Sequence, residues 1–209
     1  MTDRLIGMQG VEFIRKVLAG ERDFSRIDLE EGFDLCGDDG FDELQEYLKR
    51  CDLKSAPINI EKARLRYLDA DGIYLPFLRA SGAHLKHTAL MGANLENAQL
   101  ENVDLRYSKL CTSNLTGSNF KNADLRAADL SLALLNKVVL VGANVETTDL
   151  EYANLQGADL KGVKNLDRAR FLKTVNFQFA DIAEKEKSII RQALWAEESK
   201  KRRLFGGSG

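Results

Sequence analysis

The sequence predicts an all-β solenoid, a long coil of very short strands wound around a dry column of leucine and closed at its ends by helices. Three observations carry this. Apolar residues recur at every fifth position from Ile60 to Leu160 without a slip. The residue two places before each of these centres is small through most of the run. The other positions are mostly polar or glycine. A helix needs apolar spacings of three and four, and a strand needs a spacing of two. A fivefold period fits neither over such a length, so the period itself identifies the architecture.

The fragment ANLENAQLENVDLRYSKL (residues 93–110) shows the unit. Leu95, Leu100, Leu105 and Leu110 follow Ala93, Ala98, Val103 and Ser108 by two places. Of 21 centres, 16 are Leu; the others are Ile60, Ala70, Ala80, Phe120 and Val145. Three extended residues point in, out and in. The small residue and the centre therefore share the interior, and the residue between them faces water. That residue is Asn or Asp at Asn94, Asp104, Asn114, Asn119, Asp124, Asp129, Asn144, Asp149, Asn154 and Asp159, where it can hydrogen-bond nearby backbone and set the turn. Two further residues turn a corner, and Gly72, Gly82, Gly92, Gly117, Gly142 and Gly157 stand there, as turns prefer. Successive coils then pair their backbone groups at a strand spacing of about 4.8 Å. Leu95, Leu115, Phe120, Leu135 and Leu155 are core centres. At Ala70 and Ala80 the partners two places earlier are Leu68 and Leu78, a swap of large and small that conserves core volume. A helical array is excluded, because a fivefold period would spiral the leucines around each helix.

The ends read differently. GVEFIRKVLAG (10–20) places Val11, Ile14, Val17 and Leu18 on one helical face, with Gly20 as the stop. Residues 21–35 resemble degenerate repeat units, with Ile27 and Leu29 inward. DDGFDELQEYLKRC (38–51) is a second helix, with Phe41, Leu44 and Leu48 on one side, interrupting the first coil; Pro57 marks the return to the solenoid. After Leu160 the register slips by one, with Phe171, Phe177 and Ile182 as inward centres behind Ala169, Val175 and Ala180. Residues 183–204 form a helix carrying Ile189, Ile190, Ala193 and Leu194, and GGSG is an unstructured tail. The expected organisation is 1–55, an N-terminal helical cap with a degenerate first coil and an inserted helix; 56–182, the β-helix; and 183–209, the C-terminal helix and tail. Helical caps are what open solenoid ends require, since those ends expose core and unpaired backbone.

Composition narrows the function. The chain has 209 residues, 44% hydrophobic and 30% charged, the balance of a globular protein. No apolar run approaches the roughly 18 residues of a membrane span. The opening MTDRLIGMQGVEF lacks the basic and apolar blocks of a secretory signal. Cys36, Cys51 and Cys111 are too few and too scattered for a disulfide framework or a CxxC metal site. A cytoplasmic protein with reduced thiols is expected; a Cys36–Cys51 bridge across the second helix is the alternative. The net charge of −2 hides a gradient, with 14 acidic and 8 basic side chains in residues 1–55 but 4 and 7 in residues 183–209. The basic SKKRRLF (199–205) reads as a solvated helix end whose cations oppose the helix dipole.

The tandem units ADLRAADLS (123–131) and ANLQGADLKG (153–162) resemble the pentapeptide-repeat family, A(D/N)LXX. The resemblance covers residues 56–163 closely, and 24–35 and 169–182 loosely. It implies a right-handed quadrilateral parallel β-helix with four units per coil. It also implies a cyanobacterial type of protein, since the family abounds there. Some relatives confer quinolone resistance by mimicking DNA and binding gyrase.

Candidate chemistry is sparse. With 20 residues per coil, Arg64, His84, Asp104, Asp124 and Asn144 stack in one outward column, so a His84–Asp104 pair is expected, as an ion-pair ladder rather than an acid–base dyad. Cys111 has no histidine in its column to activate it. His84 and His87 lack a third ligand for a metal. The glycines occur singly and form no phosphate loop. No catalytic, cofactor-binding or metal residue is expected. The outward rule breaks in LSLALLNKVVLVGANV (130–145): Leu132, Leu134, Val139 and Val141 occupy outward or corner positions. Clustered exposed apolar residues mark contact surfaces. The expected function is a non-enzymatic interaction module or scaffold that docks a protein partner, or a second copy of itself, on this band, with neither nucleic acid nor membrane as a ligand. A terminal segment folded over the band is the competing reading of those four residues. The alternative function, a DNA-mimic regulator of gyrase, needs a strongly acidic rod, whereas residues 56–182 carry 14 acidic and 15 basic side chains.

Overall fold

The fivefold sequence period becomes a four-sided coil. In the computed structural model, which describes residues 4–205 and side chains as far as Leu194 except Lys173, each outward residue bridges in parallel to the residue twenty places on. Arg64 bridges His84, His84 bridges Asp104, and Asp104 bridges Asp124; likewise Asn94, Asn114, Leu134 and Asn154 form one column. Twenty residues are four repeats, so the coil has four faces. Their centres begin at Ile60, Leu65, Ala70 and Leu75, and they are called here the first to fourth faces. The pairing satisfies the backbone on both sides: Asn114 donates N–H to Ala93 O in the coil before, at 2.9 Å, and Leu115 donates to Leu134 O in the coil after, at 2.8 Å.

Each corner is a tight turn. Ala98 N–H donates to Leu95 O at 3.1 Å, and the residue between, Asn97, takes a left-handed φ of 58°. The six corner glycines take φ between 64° and 71°, a region glycine enters without steric cost. All ten outward Asn and Asp residues accept the N–H two residues on; Asn94 takes that of Glu96 at 3.1 Å and Asp129 that of Ser131 at 2.9 Å. Inside, Leu95, Leu115, Phe120, Leu135 and Leu155 are buried. The inward hydroxyls are satisfied as well: Ser118 donates to Leu95 O and Thr148 to Leu125 O, both at 2.7 Å, which removes the cost of burying them.

The N-terminal end is built from outside the regular run. β1 (Ile6–Met8) pairs in parallel with β2 (Ile27–Leu29), and Asp23, Asp28 and Asp34 bridge to Asn59, Arg64 and Asp69. Phe24, Ile27, Leu29 and Leu35 fill the interior there. These make three sides of a first coil. The fourth side is taken by α2 (Phe41–Arg50), which buries Leu44, Gln45 and Leu48. α1 (Gly10–Leu18) buries Gly10, Ile14 and Val17. Val11, placed on that face by its spacing, is instead 63% exposed. The helix turns Gly10 inward because the Phe33 ring sits where any Cβ there would stand.

The C-terminal end departs from the sequence expectation. The offset grows from 20 residues at Asn144–Lys164 to 21 at Asp149–Arg170 and 22 at Asn154–Asn176 and Asp159–Asp181. Phe171, expected inward, is a corner residue with φ 58° and lies under the Arg170 guanidinium. Leu166 and Leu172, from two one-turn 3₁₀ helices, fill the interior instead. α3 (Glu184–Phe205) follows and buries Ile190. GGSG and the side chains of SKKRRLF lie outside the described residues. Among the described residues no helix is long and apolar enough to cross a membrane.

Candidate protein-interaction surface

An outward position in this coil is normally polar because it does two things at once. It faces water, and its side-chain oxygen caps the following turn. Leu134 and Val139 stand in such positions without an oxygen, between Asn114 and Asn154 and between Asn119 and Asp159. Nothing local offsets that loss, so these two positions are anomalous on physical grounds.

The coil divides the four apolar residues into two pairs. Leu132 turns the corner between the third and fourth faces, with φ 58°, and Leu134 lies on the fourth face; they are 56% and 46% exposed. Lys137, also left-handed, turns the next corner, and Val139 and Val141 lie half-buried on the first face. No segment among the described residues covers Leu132 or Leu134. Tyr152 joins them: it stands twenty residues after Leu132, at the same corner one coil on, and is 62% exposed. Sequence reading missed it, because its link to Leu132 exists only once the coil is known to have four sides.

Around Leu134 the neighbours on the same face are uncharged, whereas Lys137 stands at the corner next to it and Asp159 flanks Val139. On the fourth face, Asn114, Asn154 and Asn176 flank Leu134 along the column, and Thr116, Asn136, Gln156 and Gln178 stand beside them. The second face is the opposite. There Arg106 grips Asp104 through two hydrogen bonds, at 2.8 and 2.7 Å, and Arg126 grips Asp124 in the same way. Burial pushes the Asp104 carboxyl up, but the Arg106 hydrogen bonds outweigh it and hold the group below the usual carboxylate range. The anticipated His84–Asp104 contact is therefore a bridge between backbones, with the carboxylate committed to Arg106. At the edge of this face Tyr67, His87 and Tyr107 stack at successive corners, with ring centroids 4.7 and 5.0 Å apart and planes within 11°.

The thiols are unpaired. Cys36, Cys51 and Cys111 are free. Cys51 accepts a hydrogen bond from Arg22 Nη2 at 3.2 Å. Cys36 lies with Asp34 and Asp69, all three donor atoms within 4.8 Å of one another. Burial, with the hydrogen bonds to Asp69 and Asp34, pushes its thiol up to about 12. Cys36 thus serves as a proton donor to carboxylates. Burial likewise raises Cys111, with Asp129 and Asp71 adding to it. The interior cavity measures 50 Å³ and is lined by Leu, Ile and Ala side chains with Phe13 and Thr88, too small and too apolar to hold a substrate.

Residues 71–106, 93–131 and 128–164 match the family described as pentapeptide repeats, in eight copies. No curated protein sequence matches the chain. Among solved structures, the chain is similar to QnrB1, a plasmid-mediated fluoroquinolone resistance protein, at 17% identity and a TM-score of 0.44, over 66% of this chain and 81% of that one. It is similar to a pentapeptide repeat protein of the Arabidopsis thaliana thylakoid lumen at 23% identity and a TM-score of 0.41, over 59% and 71%. It is also similar to Rfr23 of the cyanobacterium Cyanothece 51142 at 25% identity and a TM-score of 0.38, over 60% and 84%.

Proposed function

Since the chain belongs to the pentapeptide-repeat family and its coils pair in parallel every four repeats, we propose that it winds as that family's right-handed quadrilateral β-helix and is a non-enzymatic interaction module: a rigid rod that docks a protein on the apolar patch of Leu132, Leu134, Val139 and Val141, extended by Tyr152. The observation that carries this is the exposure of Leu132 and Leu134, with Asn114, Asn154, Asn136 and Gln156 as the near neighbours of Leu134 on the fourth face. Apolar side chains lose their contact with water on docking, and neutral amides cost less to desolvate than charged groups would. The reading places the protein in a reducing, cytoplasmic setting, in keeping with its three free thiols.

The test is the double change Leu134→Asn with Val139→Asp, which gives this coil the residue types of the coils beside it. Self-association by sedimentation velocity, and the proteins cross-linked to purified chain in native extract, are compared with wild type. Loss of a self-contact or of a cross-linked partner, with the melting temperature retained, is the expected result. Identical association in both proteins would remove the patch as the docking site.

A further inference from the structure

At the opposite end of the rod from the apolar patch, the pairing of early coils gathers basic side chains into a hollow. Arg64 and His84 are bridge neighbours on the second face. Lys62 and Gly82 occupy successive left-handed corners beside them, with φ of 59° and 69°. Leu5 and Arg26 complete the lining. Together these six residues line a cleft of 240 Å³.

No carboxylate lines this cleft. Lys62 makes no side-chain hydrogen bond or ion pair among the described residues. Arg64 reaches Asp28 only at 3.9 Å, with both groups nearly half exposed. The adjacent Glu61 is held away by Arg79, through hydrogen bonds of 3.0 and 2.7 Å. Further along the second face Arg106 and Arg126 are neutralised in place, bidentate to Asp104 and Asp124. The contrast lies along one face of the rod, so it does not come from overall composition. Gly82 adds to it, since its lack of a side chain leaves the corner between Lys62 and His84 open.

Like charges converging on a concave space repel one another, and an anion shared between them relieves the repulsion. An ammonium, a guanidinium fork and an imidazole on neighbouring rungs about 4.8 Å apart offer donors from several directions. A multiply charged oxyanion with several acceptor oxygens satisfies them together. We propose that this cleft binds a phosphate-class ligand, carried either by a small soluble phosphate compound or by a lipid headgroup. Lys62 and Arg64 hold it, with His84 beside them in the lining. The assignment does not depend on Arg26 being unengaged, nor on the docking function proposed for the other end.

The experiment is calorimetric titration of the full chain with inorganic pyrophosphate at low salt. Saturable one-to-one binding is expected. Lys62→Ala with Arg64→Ala raises Kd about tenfold or more for each cation removed. Lys121→Ala with Lys164→Ala, an equal charge change elsewhere on the rod, leaves Kd within about twofold, as screened distant charges should. Melting temperatures check the fold of each variant, and the single reversal Lys62→Glu serves if the double change unfolds the chain. Flotation with phosphatidylcholine vesicles containing phosphatidic acid separates the two sources: co-flotation that disappears in the double variant assigns the headgroup, and pyrophosphate binding without co-flotation assigns a soluble phosphate. Absence of saturable pyrophosphate binding, or equal weakening by both double variants, overturns the proposal.

Discussion

The backbone N–H of Tyr74 donates to Oε1 of Gln45 at 2.9 Å, and Nε2 of the same amide donates to the carbonyl of Gly72 at 2.8 Å. One side chain thus stands in for a strand. Where the first coil lacks its fourth side, the next coil would present a bare donor and a bare acceptor to the apolar side of α2. Gln45, 9% exposed, supplies both partners, since a carboxamide carries a donor and an acceptor side by side.

Gln45→Ala should therefore destabilise the protein by about 1–3 kcal/mol, the cost of leaving buried backbone groups unpaired. Gln45→Glu keeps the acceptor for Tyr74 but loses the donor to Gly72, and should also be destabilising. Urea midpoints measure both. A midpoint unchanged in Gln45→Ala would show that water replaces the amide freely.

Leu115 is fully buried, with coils above and below that hold their spacing through backbone bonds. Leu115→Ala should cost about 2–5 kcal/mol, because the cavity cannot collapse. Its neighbour Asn114 faces outward and accepts the Thr116 N–H at 3.1 Å. Asn114→Ala should cost less, about 0.5–2 kcal/mol, by analogy with helix caps. Chemical denaturation of the two variants should rank them in that order.

Leu134→Asn alone should leave stability unchanged or raise it by up to about 1 kcal/mol, since the new carboxamide can accept the Asn136 N–H as its column neighbours do two residues on. Asn154, the next residue in the column, accepts the Gln156 N–H at 3.2 Å. A fall in melting temperature of several degrees would mean that Leu134 packs on something essential.

Cys36 should resist alkylation. With its thiol pushed up to about 12 by burial and by Asp69 and Asp34, its thiolate fraction at pH 8 is roughly one part in ten thousand. In a Cys51→Ser, Cys111→Ser background, iodoacetamide labelling at pH 8 should be slow and should accelerate on Asp69→Asn, which removes one acceptor and one negative charge. Labelling at the rate of a free thiol would contradict this.

The chain should not alter gyrase supercoiling, with or without a quinolone. Duplex DNA presents dense, unbroken negative charge, whereas the second face here alternates Arg106 and Arg126 with Asp104 and Asp124. Inhibition or protection at micromolar protein would restore the DNA-mimic reading.

Much of this could be read one residue at a time. Leu115 inward, Asn114 outward and Gly117 at the corner follow from strand alternation and from the left-handed turn, both of which reach only two or three residues. The capping role of the ten Asn and Asp residues is equally local. The exceptions at Leu134 and Val139 stood out because the rule around them is so regular. Phe171 was misread because insertions after Leu160 change the offset between coils, and a fivefold count carries no record of which corner absorbed the extra residue.

By itself, the sequence determined which side chains face the interior of this protein and which face water, because that depends on the alternation of neighbouring residues. Only the tertiary structure decided what lies beside what across the coils. Leu132 meets Tyr152, Lys62 meets Gly82, and Gln45 replaces a strand against Tyr74, since each contact depends on how many corners close one turn. That number is set by the backbone pairing of residues twenty apart, and a period of five holds equally for three sides or four.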